Sequence, residues 1–395
     1  MPDLDLLRHA RGFAPELIAV RRDLHRHPEL GFQEVRTAGV IAAALRELGL
    51  DPRTQVGKTG VVADIVGGPG PMVALRADMD ALPIEEDADH EYRSMVEGVM
   101  HACGHDAHVA GLLGAARLLV AQREAGQLAG TVRLLFQPCE ETVDAEGKSG
   151  ATRMLEDGAL DGVQAVAGLH VGGPLPSGQV FVADGPIMGG GEEIVVEVRG
   201  RATHAALPQD GVDAIALAAQ GVVAAQAAVS RCIAPTEPGL VTFGTIEGGV
   251  AANVVADRVV IRGTLRYFEE AVRDALRSAV RGAFGGLEAQ GAQVDVTFRP
   301  GYPPVVNDPA ATARVRAALT EHLGADRIVP MTPVLLAEDF SFLGRRVPGV
   351  FLWLGASLPE PRMHHHPRFD IDEAALPLAA ATLAHAALAL LDAPS

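Results

Sequence analysis

The sequence predicts a two-domain protein in which an α+β sandwich interrupts an α/β sheet, and three observations carry that expectation. A chain of 395 residues is longer than one hydrophobic core usually serves. Short β-type runs alternate with helical runs over the first 170 positions, the texture of a sheet with helices on its faces. Beyond residue 186 the order becomes strand, helix, strand, strand, helix, strand, and after 298 the α/β texture returns. The expected boundaries are therefore 1–185 and 299–395 for the split domain and 186–298 for the insert.

The elements follow in order. "RTAGVIAAALRELGL" (36–50) has helical periodicity, and "VVADIV" (61–66) and "MVAL" (72–75) are β-type runs. After "GHDAH", Val109, Leu112, Leu113, Ala116, Leu119 and Val120 fall at helical spacing, and the β-type runs "TVRLLF" (131–136) and "VQAVAGL" (163–169) follow. "PIMGGG" (186–191) has the composition of a hinge, and "EEIVVEVRG" (192–200) alternates as a strand with one buried face. The insert continues with a small-residue helix over 213–231, strands at 240–246 and 257–268, a helix over 269–287 and a strand at 293–298. A helical run at 313–324, the strand "GVFLWLGAS" (349–357) and a helix over 373–392 close the chain.

Composition narrows the function. Fifty acidic residues against 33 basic ones give a formal charge of −17, which disfavours nucleic acid and anionic membranes as partners. Three widely spaced cysteines, Cys103, Cys139 and Cys232, argue against a disulfide framework and for a reducing, cytoplasmic setting. The N-terminus lacks a signal-type apolar core, and no long uncharged apolar run is expected to span a bilayer.

Ligand sites of such sheets lie beyond the C-terminal ends of the strands. "RADMD" (76–80), "QPCEE" (137–141) and His170 each follow a β-type run, so these polar clusters converge on one sheet edge. Cys103 and His105, in "MHACGHDAHVAG" (100–111), precede a helix whose start Asp106 can cap. A thiolate and an imidazole two residues apart begin a metal site, although alone Cys103 reads first as a buried small side chain, with a nucleophile activated by His105 as a further alternative. "MHHHPRFD" (363–370) adds imidazoles after the last strand. Two adjacent glutamates divide labour, one holding metal and the other serving as general base.

The ordered set "RRDLHRHPELGFQE", "RADMDALPI", "HACGHDAHVAGLLGAA", "FQPCEE", "GLHV", "GRATHAALPQDGVDAI", "AANVVADRVVIRGTLR", "AEDFSFL" and "HHPRFDIDE" resembles the dinuclear metallo-amidohydrolases from about residue 15 to 380. That group holds hippurate hydrolases, N-acyl-amino-acid deacylases and auxin-conjugate amidohydrolases, relatives of two-metal aminoacylases and carboxypeptidases. The resemblance implies a split catalytic domain with a zinc-exopeptidase-like mixed sheet flanked by helices, and an inserted lid that also dimerises. It implies Cys103, His105, Glu141, His170 and His365 as ligands of two divalent metal ions, zinc first, with manganese, cobalt or nickel as alternatives. Glu140 is implied as general base on metal-activated water, His204 as the lid histidine that binds the substrate carboxylate or the developing oxyanion, and Asn253 and Arg266 as substrate contacts. The substrate implied is a small N-acyl or N-aroyl amino acid, and the assembly a homodimer or a dimer-based oligomer.

Two departures stand out, Cys139 where alanine is more usual and the segment "TVDAEGKSG" after Glu141. His25 and His27 read as fixing a turn, His101 and His108 as neighbours of the ligands, and Asp78, Asp80, Glu338 and Asp339 as supports or caps. The competing functions are a dipeptidase or carboxypeptidase on the same fold, and a non-catalytic protein using zinc for stability. A structural zinc site closes with four Cys or His ligands and leaves no adjacent carboxylate spare.

Overall fold

A computed structural model of the chain describes residues 5–392, which divide into two compact units. The first takes the chain up to Ile187, Val306–Thr332 and everything from Asp339 on; the second is Met188–Val305 with Pro333–Glu338.

The first unit is built on an eight-stranded sheet. In spatial order its strands are Arg53–Val56, Gly60–Val66, Ala129–Gln137, Gly68–Asp78, Ala165–Gly172, Gly349–Gly355, Val180–Val182 and Ile328–Pro330. The central strands Ala129–Gln137, Gly68–Asp78, Ala165–Gly172 and Gly349–Gly355 run parallel, whereas the first two strands and the Gly349–Gly355/Val180–Val182 pair are antiparallel. Parallel strands in a covered sheet read as continuous apolar runs, and every residue of Ala165–Gly172 and of Gly349–Gly355 is buried. Register sets Asp78 beside Gln137 and His170 beside Trp353, so the C-terminal ends of the central strands share one edge. His170 lies inside its strand rather than after it, because the ladder runs on to Gly172.

Helix His105–Glu124 is buried on nearly all sides, as an all-round apolar helix must be. It packs on the C-terminal helix Leu376–Leu391 so closely that a methyl added at Gly114 would lie 2.7 Å from the Ala380 Cβ. Among the described residues, two helices are long and apolar enough to cross a membrane by length and composition, Ala214–Cys232 and Glu373–Leu391, a correction to the expectation that no such run exists. The second of these has 89% of its apolar window buried inside the protein, which makes it a core helix.

The second unit carries an antiparallel sheet in the order Gly239–Gly248, Arg258–Tyr267, Gly190–Arg199, Gln293–Pro300. Ile194, Val196 and Val198 alternate inward along the third of these and pack with Leu217, Ala218 and Ala225 of helix Ala214–Cys232 and Leu276, Val280 and Phe284 of helix Glu270–Gly285. Asp213 caps the first of these helices, accepting the amides of Ile215 and Ala216 at 3.0 and 3.1 Å.

Candidate metal centre

In the first unit the chain leaves three neighbouring strands at their C-terminal ends and delivers donors to one place. Gly68–Asp78 ends in Asp78 and continues to Asp80, Ala129–Gln137 continues into the Pro138–Glu141 turn, and Ala165–Gly172 carries His170. Cys103 and His105 arrive at the start of the buried helix. Gly104 between them has φ 91°, and a methyl there would come within 2.4 Å of Val171, so glycine lets the pair approach the sheet.

The donor atoms of Cys103, His105 and His170 all lie within 4.8 Å of one another. The same holds for Cys103, Glu141 and His365, and for His105, Glu140 and Glu141. Cys103 Sγ is 3.4 Å from His170 Nε2, and Glu141 Oε1 is 3.1 Å from His365 Nε2. All five sequence-predicted ligands and Glu140 are thus brought together, with Cys103 and Glu141 shared between donor groups. Of the run His364–His366, it is His365 whose ring meets Glu141, while His364 packs against His170 with ring centroids 5.0 Å apart. The His365 φ of 66° and a hydrogen bond donated by its backbone N–H to the Ala102 carbonyl at 2.8 Å hold the ring toward Glu141. His364 donates Nε2–H to the Val171 carbonyl at 2.8 Å, and His366 Nδ1 accepts the Arg368 amide at 3.0 Å.

Surrounding groups decide which ring nitrogens are available. His170 donates Nδ1–H to the Val171 carbonyl at 2.8 Å, which leaves the Nε2 lone pair facing Cys103. His105 Nδ1 lies 3.2 Å from Asp80 Oδ1, so its Nε2, buried and without a hydrogen bond, is the nitrogen that offers a lone pair once its proton is lost. Both nitrogens of His108 are committed, Nδ1 to Asp78 Oδ1 at 2.5 Å and Nε2 to the Val171 amide at 2.9 Å, so it can only support. Asp80 also accepts the Glu141 amide at 3.1 Å, tying two predicted ligands to one carboxylate. Glu140 is buried, and one of its oxygens accepts the Asp339 amide at 3.3 Å.

The charge pattern fits cations. Asp78, Asp80, Glu140 and Glu141 crowd the site, and Asp78 is already paired with Arg76. Burial, then Glu141, Glu140 and Asp78, hold the Cys103 thiol well above its ordinary range, which makes it a poor nucleophile until a positive charge arrives. Burial alone would pull His105 down, but Asp78, with Asp80 and Glu141, lifts it to about 10. Both groups therefore carry protons at neutral pH in the metal-free protein and must lose them to bind a metal. Metal affinity is expected to rise roughly tenfold per proton for each pH unit between 6.5 and 7.5, about a hundredfold in all. Competition titrations against a chelator at the two pH values check this, and a flat profile contradicts it.

Arg76 and Glu34 were not singled out from sequence, and the structure defines the parts played by several residues that were. Arg76, fully buried, binds Gln137 at 2.9 Å, Asp78 at 2.7 Å and Asp339 at 2.9 Å, and so braces the strand ends beneath the site. Glu34 accepts the Cys139 amide at 2.8 Å and the Thr59 hydroxyl at 2.5 Å, and burial followed by Asp80 pushes it up to about 7. Cys139, at φ 46°, directs its thiol to the Thr142 carbonyl at 3.3 Å, as a turn residue. In the segment after Glu141, Asp144 pairs with Lys58 and Arg153, each at 2.6 Å. Asp106 is not the cap expected from sequence, since the N-cap is Gly104 with no side-chain cap hydrogen bond; lying in the first turn, Asp106 accepts the Ala107 amide at 2.9 Å and is buried against Arg21, also at 2.9 Å. His25 is buried against Asp106 rather than fixing a turn.

The predicted substrate residues lie in the second unit. His204 and Asn253 come together at the two-stranded antiparallel ladder Thr203–His204/Val254–Val255, where the Ala205 amide donates to the Asn253 carbonyl at 3.0 Å. His204 is exposed, and its Nδ1 accepts the Ala206 amide at 3.0 Å, which leaves Nε2 to carry the proton. Arg266 stands apart on strand Arg258–Tyr267, opposite Gly191.

The model of peptidase family M20/M25/M40 matches residues 74–389. An N-acetyl-L-cysteine deacetylase of Bacillus subtilis is 42% identical over 379 residues, spanning 95% of this chain and 88% of that protein. Thermostable carboxypeptidase 1 of Saccharolobus solfataricus is 39% identical, spanning 95% of this chain and 94% of the other. Among solved structures, a Bacillus subtilis protein described as a dinuclear metal binding peptidase of the M20 family superposes with a TM-score of 0.84. It is 35% identical, with 97% of this chain and 99% of that one covered.

Proposed function

The chain belongs to peptidase family M20/M25/M40, and from that premise we propose that its donor cluster holds two divalent metal ions and serves hydrolysis of the amide bond of N-acyl or N-aroyl amino acids. It is a metallo-amidohydrolase. The observation that supports the assignment of roles is the difference between neighbours: Glu141 joins both the Cys103/His365 group and the His105 group, while buried Glu140 joins the His105 group.

Cys103, His105, Glu141, His170 and His365 would hold the ions, which would supply Lewis acidity and lower the pKa of water. Glu140 takes the proton of the attacking water on a carboxylate oxygen and passes it to the departing amine nitrogen, so one group acts as base and then as acid. Its bond from the Asp339 amide fixes one oxygen and leaves the carboxylate oriented. Asp80, at His105 Nδ1 and the Glu141 amide, keeps two ligands in position. His204 is assigned to the substrate carboxylate or the developing oxyanion, and Asn253 and Arg266 to substrate contact. A thiolate among imidazoles favours zinc, with manganese, cobalt or nickel as alternatives.

The assembly is a homodimer in this reading, supported by Ile215, Val223, Ile246 and Val250, all exposed on the second unit. A cytoplasmic setting is supported by the free thiols of Cys103, Cys139 and Cys232.

A panel of hippurate, N-acetyl amino acids and dipeptides tests the substrate class. N-acyl substrates are expected to give the higher kcat/KM by about tenfold or more, a difference of at least ~1.4 kcal/mol in transition-state binding. The similarity to a carboxypeptidase keeps a second reading in view, and faster cleavage of dipeptides would select it.

A further inference from the structure

In the first unit, helix Ala14–Arg26 and the loop that precedes Cys103 meet over a second group of metal-ligating side chains, in which the donor atoms of His25, Glu86 and His90 lie within 4.8 Å of one another. Nothing in the amide-hydrolysis mechanism uses them. We propose that His25, Glu86 and His90 form a separate site for one structural divalent cation of the zinc class.

The available lone pairs point this way. His25 is fully buried and its Nδ1 lies 2.7 Å from Asp106 Oδ2; a carboxylate only accepts, so Nδ1 carries the proton and Nε2 is left as a donor atom. That carboxylate–imidazole arrangement is the one that orients and strengthens histidine ligands to metals. Glu86 Oε2 is occupied by the Ser94 amide at 2.6 Å, which leaves Oε1 facing the rings. His25 Nε2 is 3.3 Å and His90 Nε2 3.0 Å from that single oxygen. Ligands at ~2.0–2.1 Å around tetrahedral zinc stand about 3.3 Å apart, so the two spacings are close to the edges of such a site.

The polar bookkeeping leaves a gap that a cation fills. Both ring nitrogens of His90 are closed from solvent; Nε2 lies 3.0 Å from Glu86 Oε1, and Nδ1 has no partner. His101, also buried with both nitrogens unpartnered, lies next to His25 with ring centroids 6.3 Å apart. Such groups normally find partners. The surrounding charges are unequal as well. Arg21 and Arg22 face Asp106, Asp370 and Glu373, Glu86 adds a further carboxylate, and Arg93 turns its charge to Glu85. With the imidazoles neutral, the form in which they bind metal, this leaves two negative charges, which one divalent cation cancels.

A cation here would tie the loop around Glu86–Ser94 to helix Ala14–Arg26 and, through Asp106, to the first turn of the helix that carries His105. His90→Phe preserves the ring stacked on Tyr92 at 3.9 Å and removes one ligand; His90→Asn guards against a folding failure of the first variant. Metal-free full-length protein is saturated with zinc, freed of excess and analysed for metal per chain, with the cobalt-loaded forms followed by absorption. Both variants are expected to hold one equivalent fewer than wild type, to lose one cobalt absorption component, and to become at least tenfold more sensitive to proteolysis within residues 86–94, with kcat unchanged. Equal metal content in wild type and variants overturns the proposal and leaves a protonated His25 bridging Asp106 and Glu86.

Discussion

Glu140→Gln is expected to lower kcat on an N-acyl amino acid by about 10³-fold, within the range a single general acid–base group contributes, while leaving the metal content of the protein unchanged. The amide side chain keeps the size of the carboxylate and can still meet the Asp339 amide through its oxygen, so the pocket is not reshaped. What it loses is the capacity to accept a proton from water and return it to the amine. KM is expected to stay within a few-fold, because the interaction removed forms only on the way to the transition state. Steady-state kinetics with metal analysis on the same sample check both halves. Retained turnover would remove Glu140 from its role, and loss of metal would make it a ligand.

Glu141→Ala is expected to lose metal as well as activity. Its carboxylate is shared by the Cys103/His365 group and the His105/Glu140 group, so one truncation weakens both. The affinity loss is expected to exceed ~100-fold, beyond what removal of an outer supporting partner costs. It also strips the partner that raises the His365 imidazole through their hydrogen bond, the largest influence on that ring. Activity should therefore return only partly at high metal concentration. Equal metal retention in Glu141→Ala and Glu140→Gln would erase the distinction drawn between the adjacent glutamates.

Much of this arrangement was legible because parallel sheets put their chemistry at strand ends, and strand ends can be found from periodicity. The β-type runs ending near Asp78, Gln137 and His170 were visible as apolar stretches followed by polar clusters. The insert announced itself through alternation in Gly190–Arg199, where one face is buried and the other is not. The short strands Arg53–Val56, Val180–Val182 and Ile328–Pro330 were not picked out, since three or four residues carry too little pattern. Pro333–Glu338 groups with the second unit, an association no local pattern encodes.

Within the site, the chemistry of residue types was readable and their orientation was not. Which of three consecutive histidines faces Glu141 depends on a left-handed backbone at His365, a conformation its sequence gives no sign of. Arg76 looked like an ordinary polar residue after a strand, and only the fold reveals that Gln137 and Asp339 enclose it. The same holds for Asp106, whose partner Arg21 is 85 positions away. Long-range pairing of this kind is fixed by packing, and local propensity does not contain it.

The central claim is that amide hydrolysis depends on metal held by this cluster. The direct measurement is the rate on hippurate or an N-acetyl amino acid after exhaustive chelation, followed by addition of zinc, manganese, cobalt or nickel. The expected result is loss of essentially all turnover and its recovery with at least one of these ions, in proportion to metal regained. Full turnover by protein shown to be metal-free would contradict the account.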